Sequence, residues 1–540
     1  MSKLEYTPIP EIVKSLGSRF TTRTPSNAAR GTCHSLLTVC QVHDELEKSF
    51  REGYTVNIEK RIETLKLLAY MLDENSDLIQ ASLQADLGKR RQEAYLTEIF
   101  SCINSTIQAV HNVRKWAAPQ KVSTKFPTSL LGPQVRREAK GVVLIISPWN
   151  YPLALTIQPL IGAIASGSPV IIKNSELSEN FSATITDLIH KYLDPKVVRV
   201  INGAVPETTA VLKQRFGHIF YTGNGMVGRI VQHAAAEHLT PTTLELGGKS
   251  PAFVADDANL DVITKRLLWG KQTNAGQTCV SPDYVLCTPE MQEKLVEACK
   301  KVYKQFYPEG IRNSQSFGRI INDRHFGRVT GLLEKTKGDV VIGGDRDASD
   351  RFVALSIVKN VKADDVLMQD ELFAPILPIV TVPSMEAAID FVRSRDHPLA
   401  LYVYTESDKV REQIFEGTLS GSAVQNEAIM QVGCEDLPFG GVGASGHGSY
   451  HGKRTFDLFT YERAILRSKT WLEFLFTLRY PPYSDGKLKA LSRAVREPIT
   501  FDKPGHESIL TSLGQITRKG VKLGALIGVV AFVAKRYGKF

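Results

Sequence analysis

The chain has 540 residues and a formal net charge of +9, from 66 Lys and Arg against 57 Asp and Glu. Hydrophobic residues make up 43% and charged residues 23%, which is ordinary globular usage. These values exclude a mostly disordered chain, a fibrous repeat and a multi-span membrane protein, and the length implies roughly three to four folding units with a core large enough to need no staples.

The start, Met1-Ser2-Lys3-Leu4-Glu5-Tyr6, has no apolar run of a secretory signal. Residues 14–30 are basic and rich in Ser and Thr, but Glu5 and Glu11 precede them, and residues 1–40 read as a polar N-terminal arm. Residues 46–87 read as helices, because Ile58, Ile62, Leu65, Leu68, Leu72 and Ile79 recur mostly three to four residues apart. A further helix spans 93–116 and stops before Pro119. Residues 121–140, rich in Pro, Ser, Thr and Val, read as extended chain or a hairpin.

The pattern then changes. Short apolar runs at 142–146, 169–173, 197–201 and 218–221 alternate with helical segments, one of them at 154–165. Buried strands alternating with helices imply a parallel α/β sheet, which binds ligands beyond the carboxyl ends of its strands. Asn150, Lys173 and the turn at Gly223 fall at such ends. A second alternating region begins near Leu244, with strands expected at 285–287, 340–342, 377–380 and 401–404.

Six stretches carry chemistry-bearing residues. Lys173-Asn174-Ser175-Glu176 follows a strand and reads as a clamp on two ribose hydroxyls or as a solvated pair. Gly223-Asn224-Gly225-Met226-Val227-Gly228 opens a helix after a strand, so backbone N–H groups face outward as in phosphate sites, although such turns are common. Glu245 stands in Leu244-Glu245-Leu246-Gly247-Gly248-Lys249, where burial would raise its pKa towards a general base, unless it caps a turn. Cys279, in Gly276-Gln277-Thr278-Cys279, reads as a nucleophile beside backbone N–H groups or as a small buried hydrophobe. Glu371-Leu372-Phe373-Ala374-Pro375 offers a carboxylate and a flat apolar wall, or a helix end and a strand cap. The glycines of residues 438–446 mark a tight loop lying against something, since Phe439 argues against a free linker.

Together with Pro148-Trp149-Asn150, and in this order and spacing, these stretches resemble the aldehyde dehydrogenase superfamily over roughly residues 46–482. Within it, residues 173–180 and Tyr450-His451-Gly452-Lys453 look like the class 3, or fatty aldehyde dehydrogenase, branch. Tyr480-Pro481-Pro482-Tyr483 and an apolar tail look like its fungal membrane-anchored members, including the β-apo-4′-carotenal oxygenase type. The resemblance implies an α/β fold with a Rossmann-like NAD-binding domain (residues 41–118 and 140–244), an α/β catalytic domain (245–446), a small β bridging element (119–139 and 447–482) and a C-terminal extension (483–540). It implies Cys279 as nucleophile, Asn150 with the Cys279 N–H as oxyanion hole, and Glu245 as the base that activates water. Lys173 and Glu176 would hold the adenosine ribose, Gly223 and Gly228 would admit the pyrophosphate, and Glu371 and Phe373 would hold the nicotinamide end of NAD, or of NADP. It implies a homodimer built through the bridging element, and a long apolar aldehyde, fatty or apocarotenoid, as substrate. A non-catalytic scaffold of this fold would have no chemical need for Cys279, Glu245 and Asn150 together. Three residues depart from the family pattern: Asn174 for a usual Pro, Asn224 for Ser and Ala374 for Gly. Residues 21–44 fit it poorly and read as an insert or a gene-model error.

Elsewhere the sequence implies little binding chemistry. No Lys/Arg stripe with interleaved aromatics occurs outside the C-terminus, so nucleic acid is not an expected partner. The seven cysteines are odd in number and lack CxxC spacing, so neither a disulfide framework nor a metal site is expected, and a reducing compartment fits best. At the C-terminus, residues 523–534 are uncharged and end at Lys535. A helix of that length reaches only about 18 Å of a hydrocarbon core of roughly 30 Å, but flanking lysines extend it by snorkelling. Residues 521–537 therefore read as a short membrane tail with the enzyme facing the cytosol, on a mitochondrial outer, peroxisomal or endoplasmic reticulum membrane or a lipid droplet.

Overall fold

The structure, a computed structural model, describes residues 36–126, 128–499 and 501. These fall into two compact units, one of residues 36–123 and 133–465, the other of 124–132 and 466–501. The expected cofactor and catalytic halves thus lie within one unit. The tail candidate at 521–537 lies outside the described residues. Among the described residues, no helix is long and apolar enough to cross a membrane.

The first unit opens with helices α1 (Leu36–Arg51), α2 (Ile58–Glu74) and α3 (Ser76–Leu87). The helix α1 begins well before residue 46, so the expected arm boundary at 40 falls inside a helix. Val39, Val42 and Leu46, spaced for one helix face, are buried against Val142, Leu144 and Phe216. Residues 36–44 are therefore part of the packed fold and not of an insert. A single π turn, Tyr95–Ile99, leads into α4 (Phe100–Ala117).

Strands β1 (Gln120–Lys121) and β2 (Gln134–Ala139) pair antiparallel, as a hairpin would. The strands β3 (Val143–Ile146), β4 (Val170–Lys173), β5 (Val198–Ile201), β6 (His218–Thr222) and β7 (Thr242–Glu245) form a parallel ladder. The strands β3, β4 and β6 are mostly apolar and buried at every position, as expected where helices cover both faces. One of these helices, α5 (Ala154–Ser166), is buried along most of its length. Another, α6 (Gly225–Glu237), follows β6.

A seven-stranded sheet follows, of β8 (Pro251–Val254), β9 (Tyr284–Cys287), β10 (Asp339–Ile342), β13 (Ser356–Lys359), β14 (Ile376–Thr381), β15 (Ala400–Tyr404) and β16 (Ser422–Gln425), in the order β10-β13-β14-β9-β8-β15-β16. Only the β10–β13 pair is antiparallel. Two short strands, β11 (Arg346–Asp347) and β12 (Phe352–Val353), pair beside it. The pattern signal missed β8, β13 and β16, which are short and border polar turns.

Two returns of the chain cross the expected boundaries. The strand β17 (Gly446–His447) pairs antiparallel with β7, which makes the cofactor sheet six-stranded in the order β17-β7-β6-β3-β4-β5. The expected division between 446 and 447 thus cuts a strand. The strand β18 (Thr460–Ile465) pairs with β2 to complete the three-stranded sheet. Between them, the helix Lys453–Leu458 packs on α5. In the second unit, Ser484 caps a helix over Asp485–Val495 that exposes Leu488 and Val495, and Arg467 N–H donates to the Leu131 carbonyl at 2.7 Å.

Gly162 on α5 tests this packing. A Cβ there would overlap the side chain and backbone of Thr455. Alanine gains up to about 1 kcal/mol over glycine in a helix, whereas overpacking costs about 1–3 kcal/mol. The clash should win, so Gly162→Ala is expected to lower the unfolding midpoint in a thermal or denaturant melt. An unchanged or raised midpoint would contradict the packing described.

Candidate active site

The parallel ladder aligns the candidate residues. Ile146 pairs with Lys173 on one side and with Tyr221 on the other, and Thr222 pairs with Glu245. The strand ends therefore lie on one rim, and Asn150, Lys173, Gly223 and Glu245 all follow or close them. The chain runs outward from β3 through β4 to β5 and then returns to the other side of β3. Ligands in open α/β sheets bind at that reversal.

Cys279 comes from the second half, after a 3-10 turn over Thr273–Gly276. Three successive residues are left-handed there, with φ of 53° at Asn274, 51° at Ala275 and 71° at Gly276. Such φ values are costly for Asn and Ala and persist where the surroundings impose them. Gly276 has a second reason to lack a side chain, since a Cβ would overlap the Ala374 carbonyl. That close approach joins the Cys279 loop to Glu371-Leu372-Phe373-Ala374-Pro375.

The latter segment is held from below. Lys249 Nζ donates to Asp283 Oδ2 at 2.8 Å, to the Leu367 carbonyl at 2.8 Å and to the Asp370 carbonyl at 2.9 Å. Arg328 Nη2 donates to the Leu372 carbonyl at 2.7 Å. Phe373, itself at φ 47°, meets Trp149 edge to face at 5.3 Å. Trp149 also lies 5.2 Å from the ring of His325.

The site is enclosed and rich in carboxyl groups. Glu245 is 3% exposed, and neither carboxylate oxygen has a protein partner among the described residues. Burial holds its pKa well above the usual carboxylate range. Burial likewise lifts Glu371, helped by the charge of Asp283, to about 8. Cys279 is partly exposed, and burial with the Glu371 and Glu245 charges pushes its thiol up to about 12, while the N–H groups of Cys279 and Val280 pull it back. Asn150 is buried, and its Nδ2 donates to the Gln277 carbonyl at 3.0 Å, beside Cys279.

The residues facing the cofactor rim fit a dinucleotide. Lys173 is nearly buried, with its Nζ 2.6 Å from the Asn174 carbonyl and 4.0 Å from Glu176, whose side chain is 48% exposed. Loss of water lowers the Lys173 pKa, which the Glu176 and Glu207 charges partly oppose. Glu371 Oε1 and Asn174 Oδ1 are buried acceptors without protein partners among the described residues. The first turn of α6 presents Gly225 and Gly228 in place of side chains, and a Cβ at Gly223 would overlap the Tyr221 hydroxyl. Asn224 caps that helix, its Oδ1 accepting from Val227 N–H at 3.0 Å, so this departure keeps the capping chemistry of Ser.

The glycine loop of residues 438–446 is not a linker. It reaches Glu245 through β17, and Leu246 N–H donates to the Ser445 carbonyl at 3.0 Å. Phe439 stacks on His451 at 5.2 Å. His451 itself is buried at φ 89°, its Nδ1 has no partner among the described residues, and burial lowers its pKa to about 4.

Sequence reasoning missed a set in which Lys89, Glu98 and Asn274 are buried and Glu93 and Tyr151 half-buried. Lys89 precedes Arg90 and Arg91 and reads as surface charge. Only the π turn and the meeting of three segments carry it inward.

A model of the aldehyde dehydrogenase family matches residues 36–465. The chain is 44% identical over 444 residues to an aldehyde dehydrogenase of Canis lupus familiaris described as dimeric and NADP-preferring, covering 82% of this chain and 98% of that protein. It is also 44% identical over 443 residues to aldehyde dehydrogenase family 3 member A2 of Mus musculus, covering 82% and 91%. The solved substrate-bound AldH of Staphylococcus aureus superposes with a TM-score of 0.82 at 38% identity, covering 84% of this chain and 99% of that one.

The raised carboxyl pKa values make a stability prediction. Between the unfolded pKa and the raised folded one, the folded state binds more protons than the unfolded state, so stability falls as pH rises through that window. Removing the charge should relieve this. Glu371→Gln is expected to stabilise the protein by about 1–2 kcal/mol at pH 9 and by little at pH 5. Melts at both values check it, and equal effects would contradict the burial described.

Proposed function

The chain belongs to the aldehyde dehydrogenase family, and on that premise we propose that it oxidises long, apolar aldehydes to carboxylic acids with NAD or NADP. It is an aldehyde-oxidising oxidoreductase. The observation that carries the reading of its site is Glu245, a buried carboxyl without a protein partner among the described residues, whose charge acts on the Cys279 thiol.

Cys279 Sγ, as thiolate, adds to the aldehyde carbon and forms a C–S bond, leaving charge on oxygen. Asn150 Nδ2 and the Cys279 N–H donate to that oxygen. Lys173 and Glu176 would hold the adenosine ribose, the open first turn of α6 would admit the pyrophosphate, and Glu371 and Phe373 would hold the nicotinamide end. When bound there, NAD or NADP would supply the hydride acceptor that the oxidation of the tetrahedral carbon requires. The acyl group then remains on Cys279 as a thioester. Glu245 takes a proton from water, which attacks the thioester carbon and releases the acid and the thiolate. Glu245 favours this hydrolysis over transfer to coenzyme A.

A long apolar substrate accords with the likeness of residues 173–180 and 450–453 to the class 3, or fatty aldehyde dehydrogenase, branch and with the apolar tail at 521–537. The tail would attach the enzyme to a membrane from the cytosolic side, where such aldehydes partition. The sheet of β1, β2 and β18 would build a homodimer, as the name of the Canis lupus familiaris relative suggests.

The test is reduced-cofactor production by purified protein with aldehydes from acetaldehyde through hexadecanal to an apocarotenal. Each added methylene contributes about 0.8 kcal/mol where it is buried, so kcat/KM should climb steeply with chain length. Cys279→Ser should abolish turnover, whereas Glu245→Gln should release about one equivalent of reduced cofactor and then stall. Activity should also rise with pH between 7 and 9, because burial holds Glu245, Glu371 and Cys279 towards their protonated forms. A flat chain-length profile would overturn the substrate class, and turnover by Cys279→Ser would overturn the mechanism. For the membrane, protein truncated after Pro504 should move to the soluble fraction. Continued sedimentation with membranes would place the attachment elsewhere. Gel filtration of that soluble form should give a dimer.

A further inference from the structure

Lys89 and Glu98 form an ion pair in which both side chains are 0% exposed, with Nζ 2.5 Å from Oε1. Replacing such a pair by neutral groups of similar volume is often harmless or stabilising, so stability alone does not account for it. Its bonds point instead at the candidate oxyanion hole. Lys89 Nζ also donates to the Asn150 carbonyl at 3.2 Å and lies 4.0 Å over the ring of Tyr151. Glu98 Oε2 accepts from Leu153 N–H at 2.9 Å and Ala154 N–H at 3.2 Å, at the start of α5. Glu98 sits in the π turn Tyr95–Ile99, a local irregularity of the kind that re-aims side chains at functional sites.

The loop of Cys279 is tied to the same centre. Asn274 Nδ2 donates to the Asn150 carbonyl at 2.8 Å and to the Gln277 carbonyl at 3.1 Å. Asn274 N–H donates to Glu93 Oε1 at 2.7 Å. The Tyr151 hydroxyl meets Thr278 Oγ1 at 2.6 Å, one residue before Cys279. The Asn150 carbonyl thus takes one bond from Lys89 and one from Asn274, while its amide donates to Gln277.

We propose that the buried Lys89–Glu98 pair is a positioning device that holds Asn150 in register with Cys279, so that the Asn150 amide meets the developing oxyanion. The pair touches neither substrate nor cofactor. Lys89 fixes the Asn150 backbone, and Glu98 fixes the turn that follows it. A neutral pair of the same shape would fold, but would leave the Asn150 carbonyl without its charged donor. The inference rests on the proposed role of Asn150.

The test compares Lys89→Met/Glu98→Gln, Asn150→Ala and their combination in the full-length protein. The Glu98→Gln change keeps a side-chain oxygen to accept from Leu153 and Ala154 N–H, so the double variant should melt within about 4 °C of wild type. Its kcat for aldehyde oxidation should fall about 10–100-fold, as misplacement near the reacting atoms does, with aldehyde KM and cofactor Kd within about threefold. Asn150→Ala should fall about 100–1000-fold. Adding it to the double variant should give no further loss beyond about twofold relative to Asn150→Ala alone, since both act through one group. A kcat near wild type, or losses that multiply, would overturn the proposal. A crystal structure of the double variant decides the same point without turnover, because Asn150 should shift or lose its bond to Gln277. An Asn150 that has not moved would overturn the positioning role even if wild type oxidises no aldehyde, an outcome that by itself would refute the enzyme reading alone.

Discussion

Strands in a parallel ladder all end on the same side, and the site depends on that constraint. The register of β3 with β4 and β6, and of β6 with β7, delivers Asn150, Lys173, Gly223 and Glu245 to one rim. No local feature of those four residues would collect them. The second half of the chain brings Cys279 to the rim through a turn that only Gly276 permits at its closest approach, against Ala374. The same contact joins the Cys279 loop to the segment that carries Glu371 and Phe373, so one backbone approach links two of the chemical stretches.

The electrostatics follow from this enclosure. Burial raises the pKa of two carboxyl groups and a thiol, and the charges of Glu371 and Glu245 raise that of Cys279 further. Asp283, by contrast, is paired with Lys249 and Lys271. Glu245 has no such partner among the described residues, so its burial costs stability. Left-handed backbone occurs on the same segments, at Asn274, Ala275 and Phe373. Stability is given up where function needs fixed, dehydrated groups, and the well-packed strands around them sustain it.

The departures from the family pattern show how local chemistry absorbs substitution. Asn224 does the capping that Ser would do, because either side-chain oxygen reaches the third N–H of the helix. Ala374 is fully buried behind Gly276 and presents only its carbonyl to that residue. Asn174 adds a buried oxygen next to Lys173 that has no protein partner among the described residues.

Much was legible in the sequence because it is written in short windows. Unbroken apolar runs mark β3, β4 and β6, since a strand buried on both faces has no polar positions. Helical spacing marks α2 and α3, and glycines mark places where backbone approaches backbone. The motifs around Glu245 and Cys279 carried the family and the chemical roles expected of them. The start of α1 was also readable in Val39, Val42 and Leu46, but the unusual residues before it hid the periodicity. What only the tertiary structure decided lies between windows. The antiparallel return of Gly446 and His447 onto β7 depends on a partner some two hundred residues away. The burial of Lys89 with Glu98 is likewise a product of distant packing, because a lysine beside two arginines looks like surface charge until three segments close over it. Local sequence determines which conformations and chemistries a segment offers, whereas burial, and with it the pKa and reach of each charge, is set by whatever the distant chain packs against it.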